Sequence, residues 1–146
     1  MAFVHDAAVR SSIEQRLAAL RADMRPRWGK MSVDQMLWHV NQAMGVPLGE
    51  TTPGPERPPI PKPVIKFLVL NMPWMKNAPT NSAFIAKKQY DFETERARCR
   101  QLIGKLTARP IDGAWPEHPI FGKMSGRDVS KLQAKHLDHH LRQFGV

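Results

Sequence analysis

The sequence predicts an all-α protein, a four-helix bundle with a long proline-rich crossover between its second and third helices. Three observations carry that reading. Apolar residues recur at steps of three and four in four separate segments; no stretch sustains the strict alternation of a half-buried strand; and residues 51–63, TTPGPERPPIPKP, hold six prolines that neither a helix nor a central strand tolerates.

From Asp6 to Ala22, Val9, Ile13, Leu17 and Leu20 form one apolar stripe among Arg10, Glu14, Gln15, Arg16 and Arg21, the pattern of an amphipathic helix that must stop before Pro26. Ser32 opens the second helix, because Ser-Val-Asp-Gln is a capping box. Its core stripe is Val33, Met36, Leu37, Val40 and Met44, and Pro47 closes it. The prolines of 51–63 then impose an extended, polyproline-like connection.

Val64 to Met72 is apolar but only nine residues long and is cut by Pro73; it reads as a short helix buried over the bundle or a surface element that touches lipid, the buried helix being expected at this length, with Trp74 and Met75 covering a pocket. A third long helix is expected from Ala83 or Lys87 to Leu106, with Phe92, Cys99, Leu102, Ile103 and Leu106 on one side and Glu95, Arg96, Arg98 and Arg100 elsewhere. Gly113, Pro116 and Pro119 mark a loop. The last helix starts at Ser125, with Asp128 in its first turn, and runs through Val129, Leu132, Leu137, Leu141 and Phe144 to Gly145.

At 146 residues the chain is the size of one domain, expected to cover 1–146. Cys99 is the only cysteine, so neither an intrachain bridge nor a cysteine-rich zinc site can form. No basic segment followed by an apolar run opens the sequence, and nothing approaches a membrane span; a cytoplasmic setting is expected. The 22 Lys and Arg outweigh 13 Asp and Glu to leave +9, which would suit a polyanion, yet the charges are dispersed and no RNA-binding aromatic motif or zinc-finger spacing interleaves with them.

A weak repeat directs attention to the histidines. Trp28-Gly29-Lys30-Met31-Ser32 leads into the second helix and Phe121-Gly122-Lys123-Met124-Ser125 into the last. Counted from their serines, His39 lies seven residues in, and His136 and His140 lie eleven and fifteen in. Steps of four drift only about 40° around a helix, so the three imidazoles share a face if the two helices are counterparts. His136 and His140 alone, four residues apart, stand about 6 Å apart in rise, a chelating spacing for zinc, nickel or iron. Three protein ligands leave a coordination position for water or substrate, where a divalent ion acts as a Lewis acid or lowers the pKa of a bound water or thiol.

His139, three residues after His136, could chelate with it instead, although its place in line with Lys135 and Arg142 points to solvent. His5 and His118 read as loop residues. Gln35, Gln133 and Gln143 lie within a turn of the histidines and could orient an imidazole or a substrate. Asp128 reads as a helix-start residue and Cys99 as a small core residue.

Two stretches, WGKMSVDQMLWHV from Trp28 to Val40 and HPIFGKMSGRDVSKLQAKHLDHHLRQFG from His118 to Gly145, resemble the DinB-like superfamily and, within it, the DUF1569 branch. The resemblance implies a DinB/YfiT-like four-helix bundle with one divalent metal held by a histidine of the second helix and an HxxxH pair of the last. Carried onto this sequence those positions are His39, His136 and His140. It also implies a homodimer and chemistry of the thiol-dependent transferase or metal-dependent hydrolase type, with a low-molecular-weight thiol as a possible cofactor, and no DNA binding. Two other readings compete: a basic binding module in which the histidines are incidental, and a fold stabilised by its metal without turnover.

Overall fold

In the computed structural model, which describes residues 2–146, five α-helices and one 3-10 turn make up the regular structure. They are α1 (Ala7–Ala19), α2 (Val33–Gly45), α3 (Lys62–Asn71), α4 (Phe92–Ala108) and α5 (Gly126–Gln143), with the turn at Ser82–Phe84 between α3 and α4. The described residues contain no strand, only an isolated bridge between His118 and Gly122. The chain is therefore all-helical, as the periodicity predicts.

The predicted stripes are the buried ones. Leu17 of α1, Met36, Leu37 and Met44 of α2, Leu102 and Leu106 of α4, and Leu137 and Leu141 of α5 are fully buried in one continuous apolar cluster. Withdrawing each such side chain from water contributes about 1.5–3 kcal/mol, which is what holds helices of weak intrinsic stability in place. α2 lies along α4, and α5 meets α1, α2 and α3, so α2 and α5 both reach the interior. Across the α2–α4 seam the buried Asn41 side-chain amide donates to the backbone carbonyl and to the carboxylate of Glu95, each at 2.9 Å. That pairing is why a glutamate expected on the polar side of its helix is buried.

The two lead-in segments adopt matching backbone shapes. Gly29 and Gly122 both lie in the left-handed region, with φ of 80° and 73°. Each is followed three residues later by a serine N-cap. The Ser32 N–H donates to the Gln35 side chain at 3.1 Å. At α5, Ser125 and Asp128 exchange reciprocal bonds of 3.0 Å, the complete capping box.

Two expectations are corrected. The third long helix does not start at Ala83 or Lys87: Asp91 accepts the Thr94 N–H at 2.8 Å and opens α4 at Phe92. Ser82–Phe84 is a separate turn, and the chain between is irregular, with the Tyr90 N–H held by Asp34 at 2.8 Å. The apolar run after the prolines is a helix, α3, but it is not buried. Leu70 is buried in the core with Val69 packed against it, while Val64, Phe67 and Leu68 are exposed, Phe67 by 60 %. Ten residues lying across α5 can shield one side only, and the opposite side carries the rest of the run outward.

Candidate metal centre

His39, at the middle of α2, and His136 and His140, on α5, meet in the interior. All three are buried, and one ring nitrogen from each lies within 4.8 Å of the other two. The His39 Nε2 and His136 Nε2 atoms are 3.1 Å apart. Nitrogens that share one first-row ion at about 2.1 Å stand roughly 3 to 3.5 Å apart, so this pair is spaced as co-ligands are.

Hydrogen bonds on the far side of two rings decide which nitrogen faces inward. His39 Nδ1 lies 2.8 Å from the backbone carbonyl of Phe84, which can only accept; the proton is on Nδ1 and the Nε2 lone pair is left for the centre. His140 Nδ1 lies 2.7 Å from the side-chain oxygen of Gln143, whose amide nitrogen donates to the Trp28 carbonyl at 2.8 Å. That second bond fixes the amide's orientation, so Gln143 accepts from His140 and turns its Nε2 inward as well. Metal-binding imidazoles are held in this manner by a partner on the opposite nitrogen.

Burial sets the charge. It lowers the pKa of His39, against the opposing pull of the Phe84 carbonyl, and lowers that of His136 well below the ordinary histidine value. His140 is pushed down to about 3, by burial first and by the nearby His39 second. With three neutral imidazoles meeting at this range, the short contact between His39 Nε2 and His136 Nε2 needs a proton or a cation between the two nitrogens. The donor set of three nitrogens fits a divalent zinc, nickel or iron ion.

Residues 11–145 match the family described as a protein of unknown function, DUF1569. The chain belongs to the DUF1569 family. No curated protein and no solved structure matches it.

In this DUF1569 protein Gln143, one of three glutamines singled out in the sequence, orients an imidazole. Gln35 instead serves the start of α2 and donates to the Lys88 carbonyl at 3.0 Å. Gln133 is buried with its side-chain oxygen unpartnered and makes no hydrogen bond to the three rings. His139 is half-buried rather than solvated: its ring sits between those of Trp28 and Trp74, with centroids 5.6 and 5.5 Å away. Trp74 also stands 5.5 Å from His136 and is held there by donating its indole N–H to the Val69 carbonyl at 2.8 Å. Lys135 reinforces that corner by donating to the Val69 and Met72 carbonyls at the end of α3.

The other histidines of the DUF1569 chain have structural partners. His5 reaches Ser130 Oγ at 2.9 Å and the Arg109 carbonyl at 2.8 Å, tying the N-terminal segment to α5 and to the end of α4. His118 is buried, and its Nδ1 accepts the N–H groups of Ile120 and Phe121. Asp128 completes the α5 cap and meets Lys66 at 3.3 Å. Cys99 is fully buried and its thiol is pushed up to about 12, which leaves it without nucleophilic character. The residues missed by sequence reasoning are Phe84, whose contribution is a backbone carbonyl, and Trp28 as the anchor of Gln143. No side-chain pattern announces a carbonyl.

Proposed function

We propose that this chain, over 1–146, is one DinB-like domain of the DinB/YfiT-like four-helix type that holds a divalent metal on His39, His136 and His140 and acts as a metal-dependent transferase or hydrolase. The single observation that carries the reading is the pairing of inward lone pairs: His39 and His140 each have the outer nitrogen protonated by a fixed acceptor, and His39 Nε2 stands 3.1 Å from His136 Nε2.

A divalent ion bound there would supply Lewis acidity at a position that three ligands leave free, for a water or for the sulfur of a low-molecular-weight thiol. The chain's own residues do the rest. Phe84 and Gln143 hold the rings so that the ion meets preset donors. The low pKa values keep the imidazoles from being lost to protons at neutral pH. Trp74, against His136, shields one side of the cluster from bulk water.

Elemental analysis of the untagged protein beside His136→Ala tests the ligand set. About one equivalent of metal is expected in the first and little in the second; equal metal in both overturns it. Thiol transfer is tested by binding of a low-molecular-weight thiol to metal-loaded and chelator-stripped protein. Binding to the loaded form alone supports it, and equal binding removes the thiol from the scheme.

A homodimer fits the outer face of α3. Val64, Phe67, Leu68 and Met72 present apolar surface there that a second copy would cover.

A further inference from the structure

Beside the imidazole cluster opens a cleft of about 430 Å³, within the range of small-molecule sites. Arg27, Lys76 and Arg142 bring three cationic groups to its wall, Trp28 and Trp74 bring two indoles, and no Asp or Glu side chain lines it. Arg142 is shared with Asp138 at 3.0 Å. Among the described residues no Asp or Glu pairs with Arg27 or Lys76, and Val146, whose carboxyl oxygen accepts from Arg16 at 3.1 Å, also lines the cleft, so its wall carries a net positive charge. Charges of one sign brought together cost stability unless something of opposite sign joins them.

The cleft is built rather than incidental. The Arg27 backbone N–H donates to the Gln143 carbonyl at 2.7 Å, which ties this corner of the wall to the residue that orients His140. The guanidinium lies against Gly145, where a Cβ would stand 3.0 Å from two of its nitrogens; glycine leaves the room it needs. The Lys76 ammonium lies 4.7 Å from the centre of the Trp28 ring, a cation held over an indole face. Trp74 belongs to both places, since it lines the cleft and stands 5.5 Å from His136.

We infer that this cleft binds a small organic anion, with its carboxylate or phosphate on Arg27 and Lys76 and an apolar, planar body against the aromatic wall that Trp28, His139 and Trp74 form. The guanidinium and ammonium supply charge-assisted donors, the indoles supply stacking area, and the shared tryptophan brings the far end of the ligand to the imidazole cluster. The inference deepens the metal-centre reading and rests on it for the role of substrate; the binding itself does not require the ion.

The test uses the full chain, chelator-stripped and zinc-loaded, with three probes: naphthoate, naphthyl phosphate and the neutral naphthamide. Binding is followed by calorimetry and by the indole N–H signals in NMR spectra. At least one of the two anions should bind roughly tenfold or more tighter than the amide, in both forms of the protein. The signals of Trp28 and Trp74 should move while those of Trp38 and Trp115 stay. Arg27→Gln combined with Lys76→Gln changes two exposed side chains and should abolish the preference for the anions; the ranking of carboxylate against phosphate identifies the acidic group.

Equal affinity for acid and amide, shifts at the other tryptophans, or absence of saturable binding in a protein that takes up zinc stoichiometrically would each overturn the cleft assignment and leave the metal reading intact. Anion binding confined to the zinc-loaded form and indifferent to the double substitution would place the acid on the ion and equally overturn it. Anion binding in a chain that takes up no metal supports the cleft and removes the metal centre.

Discussion

The side-chain oxygen of Gln143 accepts the Nδ1 proton of His140 at 2.7 Å, and the amide nitrogen of the same residue is held by the Trp28 carbonyl at 2.8 Å. One side chain thus fixes an imidazole's tautomer and ties the end of α5 to the segment that leads into α2. Gly29 follows Trp28, and a Cβ there would stand 2.8 Å from the Gln143 amide nitrogen, so the glycine keeps this bond possible.

Gln143→Leu removes the acceptor and leaves the His140 Nδ1 proton unpaired. Loss of such a supporting bond lowers metal affinity roughly 10–100-fold. A competitive chelator titration measures it, with circular dichroism confirming that the helices persist. Unchanged affinity would mean that the hydrogen bond does not orient a ligand.

If the three histidines hold an ion, metal loading should raise thermal stability, because such an ion would bind the assembled site and not the separated histidines. At free zinc about 100 times the dissociation constant the gain is about 2.7 kcal/mol, a rise in Tm of roughly 5–10 °C for a chain of this size. His136→Ala should lose most of that shift. Calorimetric scans of both proteins with zinc and with chelator make the comparison.

His118 governs part of the acid sensitivity. Its burial, aided by the charge of Lys62, pushes it down to about 4, whereas an imidazole in the unfolded chain titrates near 6.5. Between those values the unfolded state takes up a proton that the folded state refuses, so stability falls as pH drops through the window and is unaffected above it. The full loss is about 3 kcal/mol at the low end. His118→Asn keeps an acceptor for the Ile120 and Phe121 N–H groups and cannot titrate. Its urea-unfolding free energy should gain on that of the unmodified protein from pH 6.5 down to pH 4, and parallel curves would rule His118 out.

Phe67→Glu addresses the outer face of α3. The side chain is 60 % exposed and makes no core contact, so the folded monomer should change by less than about 0.5 kcal/mol. A homodimer built on this face should dissociate, read as a halved mass in light scattering with the helical circular dichroism unchanged.

The helices and their inward stripes were legible in the sequence, because an apolar residue every three or four positions can be buried in only one way. So was the spacing of His39, His136 and His140, through the shared lead-in that places a left-handed glycine and a serine cap before each helix. The segment 60–90 was not legible. Its proline-broken pattern has no period to follow, and what decided the start of α4 was a local bond, Asp91 to Thr94, while what left one side of α3 exposed was its packing mainly across α5.

Helical periodicity was enough to predict an all-helical chain, the membership of its core and the shared face of His136 and His140, while the match of His39 to that pair was signalled by the repeated lead-in. Folding in three dimensions settled which nitrogens face inward, that the Phe84 carbonyl holds His39 and the Trp28 carbonyl fixes Gln143, and that Trp74 joins the cluster to a cationic cleft. Those relations pair groups between 45 and 115 residues apart through carbonyls and ring edges, and no helical period links residues at such separations.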